Sequence, residues 1–332
     1  MNVRDVTVTM ADWPRTAARL GFAFFTVYLV VSLTFAVVVL TNDPNVAAVR
    51  WGVAAGGGDA AAQQAAVDAY REARNLDGPV LDRYVQWMTN VLTLNWGHSH
   101  NLGAPVTTLI AERAPYTLLY LVPGVLASVA VGVSGGVVAA FRHNSLVDRA
   151  VTLLAYLAFG IPSFWLALVF IVVVGPALGW ESTEFSLADG ALTEQNLRRY
   201  LLPTAVFATG LTAGQLQHAR SQTVIHLNAT FVRLLRAMGV GPRRTVKHVL
   251  RNAAVPLLTL FFSDLLGIVV VSVYVIEYVF GIPGLGTLSY DAIFNRDLPL
   301  LLGTTFLVVL VGVASNLLQD MVYPLVDPRI EE

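Results

Sequence analysis

The sequence contains no cysteine, which removes disulfide frameworks, thiol nucleophiles and zinc–thiolate sites from consideration. Charge is scarce as well: 13% of the 332 residues are Asp, Glu, Lys or Arg, against about 25% in an ordinary soluble domain. Lysine is almost missing, Lys247 being the single one among 21 basic residues. It sits in Arg244-Thr245-Val246-Lys247-His248, with no glycine-rich loop before it and no hydroxyl after it. The chain therefore lacks the P-loop that cradles a nucleoside triphosphate, and ATP hydrolysis belongs to another chain. The six histidines are scattered, and only His98 and His100 lie close together, a single H-x-H pair that reads more simply as surface than as a metal site. No Ser-His-Asp set stands out. The basic segments lack the interleaved aromatics of a nucleic-acid stacking platform, so no nucleic-acid partner is expected.

What the chain has is apolar length. Hydrophobic residues make up 55% of it, and crossing a bilayer takes roughly 20 residues with few charges. Five uncharged stretches meet that need: Leu20–Leu40, Ala114–Phe141, Ala150–Trp180, Tyr200–Ala219 and Leu298–Gln319. A sixth, about Asn252 to Phe280, is interrupted by Asp264 and Glu277. The first run exceeds the 7–15 residues of a signal-peptide core and has no clear A-x-A site after it, so it reads as a helix. The expectation is an all-α integral membrane protein with six transmembrane helices.

Basic residues orient such a chain, because cytoplasmic loops retain Lys and Arg. The segment Arg220–Arg251 carries Arg220, Arg233, Arg236, Arg243, Arg244, Lys247 and Arg251 with no acid at all. Placing it inside puts both termini in the cytoplasm and divides the chain into an N-terminus with the first helix (1–40), an external segment (41–113) and a five-helix core (114–330) with a cytoplasmic loop at 220–252. The external segment is too long for a bare connection and reads as helical. Asp59 caps an Ala-rich helix ending near Leu76-Asp77-Gly78-Pro79, and a second helix shows Leu81, Tyr84, Val85, Met88, Val91 and Leu92 at helical spacing. That stripe is either packing surface or a docking face.

Asp264 and Glu277 raise the question of a translocation-path role, since an acid within a membrane helix costs roughly 2.5–3.5 kcal/mol on insertion scales. On one continuous helix they stand about 20 Å apart on nearly opposite faces, which argues against a dyad. Asp264 reads either as a hydrogen-bonded structural acid or as a path residue. Gly132-x-x-x-Gly136 and Gly210-x-x-x-Gly214 suit close helix packing. In the basic loop, Asn228 is positioned to cap a short helix, Ala229 to Met238, that Gly239 ends, and Pro242 to open another from Arg243. The first of these helices suits an anionic lipid surface or a groove in a partner protein.

At this loop the chain resembles a known family. Phe231-Val232-Arg233-Leu234-Leu235-Arg236-Ala237-Met238-Gly239-Val240, followed by His248-Val249-Leu250-Arg251-Asn252-Ala253-Ala254-Val255-Pro256, is similar to the EAA motif of binding-protein-dependent ABC importer permeases, in particular the dipeptide/oligopeptide/nickel branch. Leu235 and Met238 stand where that branch usually has alanine and lysine. Further similarities run along the chain: Trp96-Gly97-His98-Ser99, Pro105-Val106, Arg142-His143-Asn144-Ser145 with Asp148-Arg149, Pro162-Ser163-Phe164-Trp165, Glu277-Tyr278-Val279-Phe280 with Pro283-Gly284-Leu285-Gly286, Asp291-Ala292-Ile293, Arg296-Asp297 and Asp327-Pro328-Arg329. The external segment resembles that of the first permease of such a pair.

The resemblance implies a type I ABC importer permease fold in the plasma membrane. It also implies a homologous second permease, two ATPase subunits and an external solute-binding protein as partners. The chain would bind no cofactor itself, with ATP and Mg on the ATPases. It further implies that Phe231, Val232, Arg233, Leu235, Arg236, Ala237, Gly239 and Val240 form the coupling helix that docks on an ATPase, and that the cargo is a dipeptide, a longer peptide, a nickel chelate or another small solute. The rival reading is a self-sufficient ion-coupled carrier or channel built on Asp264.

Overall fold

The structure is a computed structural model that describes residues 13–40, 44–73, 77–179, 185, 187 and 190–326. Its helices are α1 (Trp13–Leu40), α2 (Pro44–Ala55), α3 (Ala60–Ala73), α4 (Val80–Leu92), α5 (Val106–Phe141), α6 (Leu146–Gly160), α7 (Ser163–Val169), α8 (Gly175–Ala177), α9 (Glu194–Arg199), α10 (Leu201–Leu227), α11 (Thr230–Ala237), α12 (Pro242–Phe280), α13 (Leu285–Phe294) and α14 (Leu298–Val326). Among the described residues the β-structure amounts to one isolated bridge, His98 to Pro105. Among the described residues three helices are long and apolar enough to cross a membrane, over Leu20–Val37, Val106–Phe141 and Leu298–Val322, and the bent pair α6–α7 makes a fourth if it counts as one span. The three match the expected segments Leu20–Leu40, Ala114–Phe141 and Leu298–Gln319, and the bent pair covers most of Ala150–Trp180.

The segment read as one span, Ala150–Trp180, is broken. Its two halves meet at 99°, because Pro162 pushes the residue before it out of the helical region: Ile161 has φ −84° and ψ 120°. A π turn, Phe170–Val174, follows α7.

The chain divides into two compact units, Met1–Leu109 with Asp291–Val313, and Ile110–Tyr290 with Ala314–Glu332. In the first, α1 rests on α4 through a 2.7 Å hydrogen bond between Ser32 and Tyr84 and an edge contact of Phe35 on Tyr84 at 5.3 Å. Trp87 continues the aromatic seam to Phe306. The face of α4 follows the expected stripe only in part, because Leu81, Val85 and Leu92 are exposed while Tyr84, Met88 and Val91 are half-buried. Asp59 does cap α3, accepting the Ala62 amide at 2.8 Å. The helix α3 is described as far as Ala73, and the expected end near Leu76 lies outside the described residues. The helix α2 had no counterpart in the sequence reading.

In the second unit α5 and α10 pack backbone to backbone. A Cβ built at Gly124 would stand 2.7 Å from the Phe207 ring, one at Gly132 2.7 Å from Gln215 Cβ, and one at Gly136 2.7 Å from Ala219 Cβ. Ser128, on the same i+4 row, is buried. Small residues in such a row let membrane helices approach closely. A Cβ at Gly210 would meet nothing within 4 Å, so the close approach expected at that position is not found there. Around this seam lies an apolar core of Tyr116, Tyr120, Leu202, Val206, Phe207, Ile276 and Phe280.

Candidate functional site

The basic segment is not a loop but the end of one helix, a short helix and the start of a third. Arg220 lies within α10, which Asn228 terminates: the Asn228 amide bonds back to the Val224 carbonyl, and its side-chain nitrogen donates to the same oxygen at 3.1 Å. The expected role of Asn228 as N-cap of the short helix is therefore corrected. Ala229 holds that position, extended at φ −68° and ψ 151° with no side-chain cap bond. The expectation of a second short helix is corrected too, since Pro242, in the first turn, opens the 39-residue α12. Proline is tolerated there because its missing N–H would have no helical partner.

Gly239 ends α11 as the sequence suggests. Its φ is +74°, and two bonds close the end: Gly239 N–H to the Arg236 carbonyl and Val240 N–H to the Leu235 carbonyl, both 3.0 Å. This 6→1 and 5→2 pair is the Schellman arrangement, which needs a left-handed residue at the glycine position. Val232 is completely buried, as are Val249 and Ala253 of α12, with Thr245 nearly so. Positions 245, 249 and 253 share one helix face, and α11 packs against α12. Phe231, Leu235 and Val240 are half-buried, whereas Arg233, Leu234, Arg236, Ala237, Met238 and Gly239 are exposed. A shallow open depression of about 480 Å³ follows, lined by Met238, Gly239, Val240, Gly241, Arg243 and Arg244. The segment thus anchors itself by one valine and presents arginines, leucine and methionine outward.

Glu277 lies near the end of α12 and is fully buried. Thr117 donates to Oε1 at 2.6 Å and Tyr120 at 3.3 Å, while Oε2 accepts the backbone amides of Gly286 (2.7 Å) and Thr287 (3.0 Å). These amides belong to the first turn of α13, whose positive end favours a carboxylate. Thr117 also accepts the Leu285 amide, and Arg113 donates to the Pro283 carbonyl. Gly284 leaves no room for a Cβ, which would collide with Thr117 Oγ1 and the Glu277 carboxylate. Gly281 makes the intervening turn at φ +64°. The run Glu277 to Gly286 is accordingly one folded junction, and Glu277 is engaged at both oxygens. Asp264 lies on α12 about thirteen residues earlier, and its side chain is outside the described residues.

Two further acids organise motifs that were only strings in the sequence. Asp297 is 1% exposed and accepts from Ser99 Oγ and the Asn101 and Leu300 amides. Burial would raise its pKa, but these bonds, with another from the His100 amide, outweigh it and hold the carboxyl below its usual range. That gives the His98–His100 stretch a structural task. Among the described residues no group of three or more His, Cys, Asp or Glu is placed to hold a metal ion. Asp148 receives both arms of Arg220 and the Asn144 amide. Sequence reasoning counted Arg220 among the basic residues that orient the chain and missed this pairing; the nearby run Arg142-His143-Asn144-Ser145 with Asp148 was the available signal.

Residues 132–332 match the family described as binding-protein-dependent transport system inner membrane component. The chain is 34% identical over 278 residues to the oligopeptide transport system permease protein AppB of Bacillus subtilis, covering 81% of this chain and 86% of that one. It is 35% identical over 278 residues to a Brucella suis chain named as a peptide permease protein, covering 81% and 85%. With a Brucella abortus chain named as a peptide transport system permease protein the identity is 33% over 319 residues, covering 94% of this chain and 97% of the relative.

Proposed function

The chain belongs to the family of binding-protein-dependent transport system inner membrane components, and we propose from that premise that it is a permease subunit of an ABC importer that carries peptides across the membrane. The names of its relatives support peptides as cargo. They lend no support to nickel or to a self-sufficient ion-coupled carrier. Within the importer the chain pairs with a homologous second permease, receives solute from an external binding protein and is driven by two cytoplasmic ATPases that hold ATP and Mg.

The observation that carries this reading is α11. A helix of eight residues, pinned by a buried Val232 and stopped by a left-handed Gly239, has the form of a plug presented to a groove. Residues 231–240 are its contact segment with an ATPase. A helix lying on lipid would need no such fixed stop. In the importer, Gly239→Val forces a β-branched side chain into positive φ. We expect the variant to reach the membrane normally but to lose most co-purification of the ATPases and uptake of a labelled oligopeptide mixture. Undiminished ATPase association with normal uptake would defeat the coupling assignment.

This reading assigns six spans, to α1, α5, the bent α6–α7, α10, α12 and α14. Both termini and α11 then lie in the cytoplasm, with α2, α3 and α4 outside. The absence of native cysteine makes the test direct. Single cysteines at the exposed positions Ala62 and Lys247 should react with impermeant maleimide from opposite sides; labelling of both from outside would overturn the orientation.

A further inference from the structure

Asp148 and Arg220 are 72 residues apart in sequence and form a two-pronged pair. Arg220 Nε donates to Oδ1 at 2.5 Å and Nη2 to Oδ2 at 2.8 Å. The Asp148 side chain is 3% exposed and that of Arg220 26%. The acid is also locked to its own turn. It accepts the Asn144 amide at 2.9 Å, in a turn where Asn144 is held at φ +64°, and its amide is capped by Ser145 Oγ at 3.3 Å. His143 Nδ1 stands 3.3 Å from both Asp148 Oδ2 and Arg220 Nη2. At the same level the α5 backbone meets α10 directly: a Cβ at Gly136 would touch the Leu216 carbonyl, Ala219 and the Arg220 amide.

Beyond Arg220, α10 continues unbroken to Leu227, and α11 begins at Thr230. The remaining two turns span about 10 Å. An apolar helix contact lets helices slide, since dispersion contacts re-form at each register. A bidentate guanidinium–carboxylate fork does not, because both bonds are lost when either plane shifts.

We propose that Asp148 and Arg220 are positioning residues: their pair is a strut that makes the α5–α6 turn and the α10–α11 connection one mechanical unit, so that displacement of α11 is delivered to α5 and α6. The proposal rests on the reading of α11 as the ATPase-docking helix. A purely stabilising pair would lower the amount of folded protein and leave coupling per molecule intact; a strut changes how movement divides between the two sides.

The test uses the complete importer in nanodiscs, with spin labels on cysteines replacing the exposed Leu146 and Ser221. With the pair intact, one narrow label distance is expected, the same without nucleotide and after trapping with ATP and vanadate. In Asp148→Asn the trapped distance should broaden or shift. ATP hydrolysis by the assembled complex should persist while uptake of a radiolabelled oligopeptide mixture per ATP falls roughly ten-fold, within the usual span of coupling energies. Arg220→Lys keeps the charge but loses the fork, and is expected to fall in the same direction by less; it also serves if Asp148→Asn does not assemble. A label distance that changes with nucleotide in the intact pair, or wild-type uptake per ATP in Arg220→Lys, would overturn the strut. Failure of the unmodified chain to bind ATPases at all would instead refute the docking reading on which it stands.

Discussion

The junction around Glu277 and the segment around α11 use glycine and charge in opposite ways. At the junction an acid is fully buried and both its oxygens are taken by Thr117, Tyr120 and two amides of α13. Gly284 is there because a side chain would occupy the place of that carboxylate. In α11 the charges are exposed arginines, and Gly239 has open space around its Cβ position; it is needed for its positive φ alone. A charge whose partners are all local fixes the chain's own shape, whereas charges turned outward on a rigidly stopped helix are available to another molecule.

Substituting the two glycines separates these roles most sharply. Gly284→Leu should produce the largest effect of any change considered, because it either displaces the Glu277 carboxylate or ejects the first turn of α13. The stranded amides alone cost about 1–3 kcal/mol each. Loss of monodisperse protein after detergent extraction, read by size-exclusion chromatography, is the expected result. Gly239→Leu imposes only the left-handed backbone penalty, about 1–2 kcal/mol, so it should elute normally. If the two variants behave alike, the distinction between a structural and a presenting glycine fails.

A smaller effect concerns the fork itself. Asp148→Asn removes the charge that receives both arms of Arg220, and hydrogen bonds to a charged partner contribute about 1.5–3 kcal/mol. The thermal midpoint of the purified variant should therefore lie below that of the native chain while its elution stays monodisperse. An unchanged midpoint would show that this buried pair does not fix the chain's own shape as the Glu277 junction does.

Much of this was legible in the residues themselves. Apolar runs identify α1, α5 and α14 because lipid tolerates little else, and glycine at 239 announced a left-handed helix end because other side chains resist that φ. Pro242 likewise marked the first turn of α12. Asn228 misled, since the residue serves equally well as a cap at either end of a helix, and the choice went to α10, whose last carbonyls it reaches.

Composition, period and backbone preference therefore settled the membrane class, the positions of most helices and the stop at Gly239, all of which depend on residues within a turn or two of one another. Only the tertiary structure decided which charges are spent internally. Whether Arg220 is a free cation or the partner of Asp148, and whether Ser99 meets Asp297 198 residues away, depends on which helices pack together. A buried charge takes its stability from groups within a few ångströms in space, and one sequence does not say which those are.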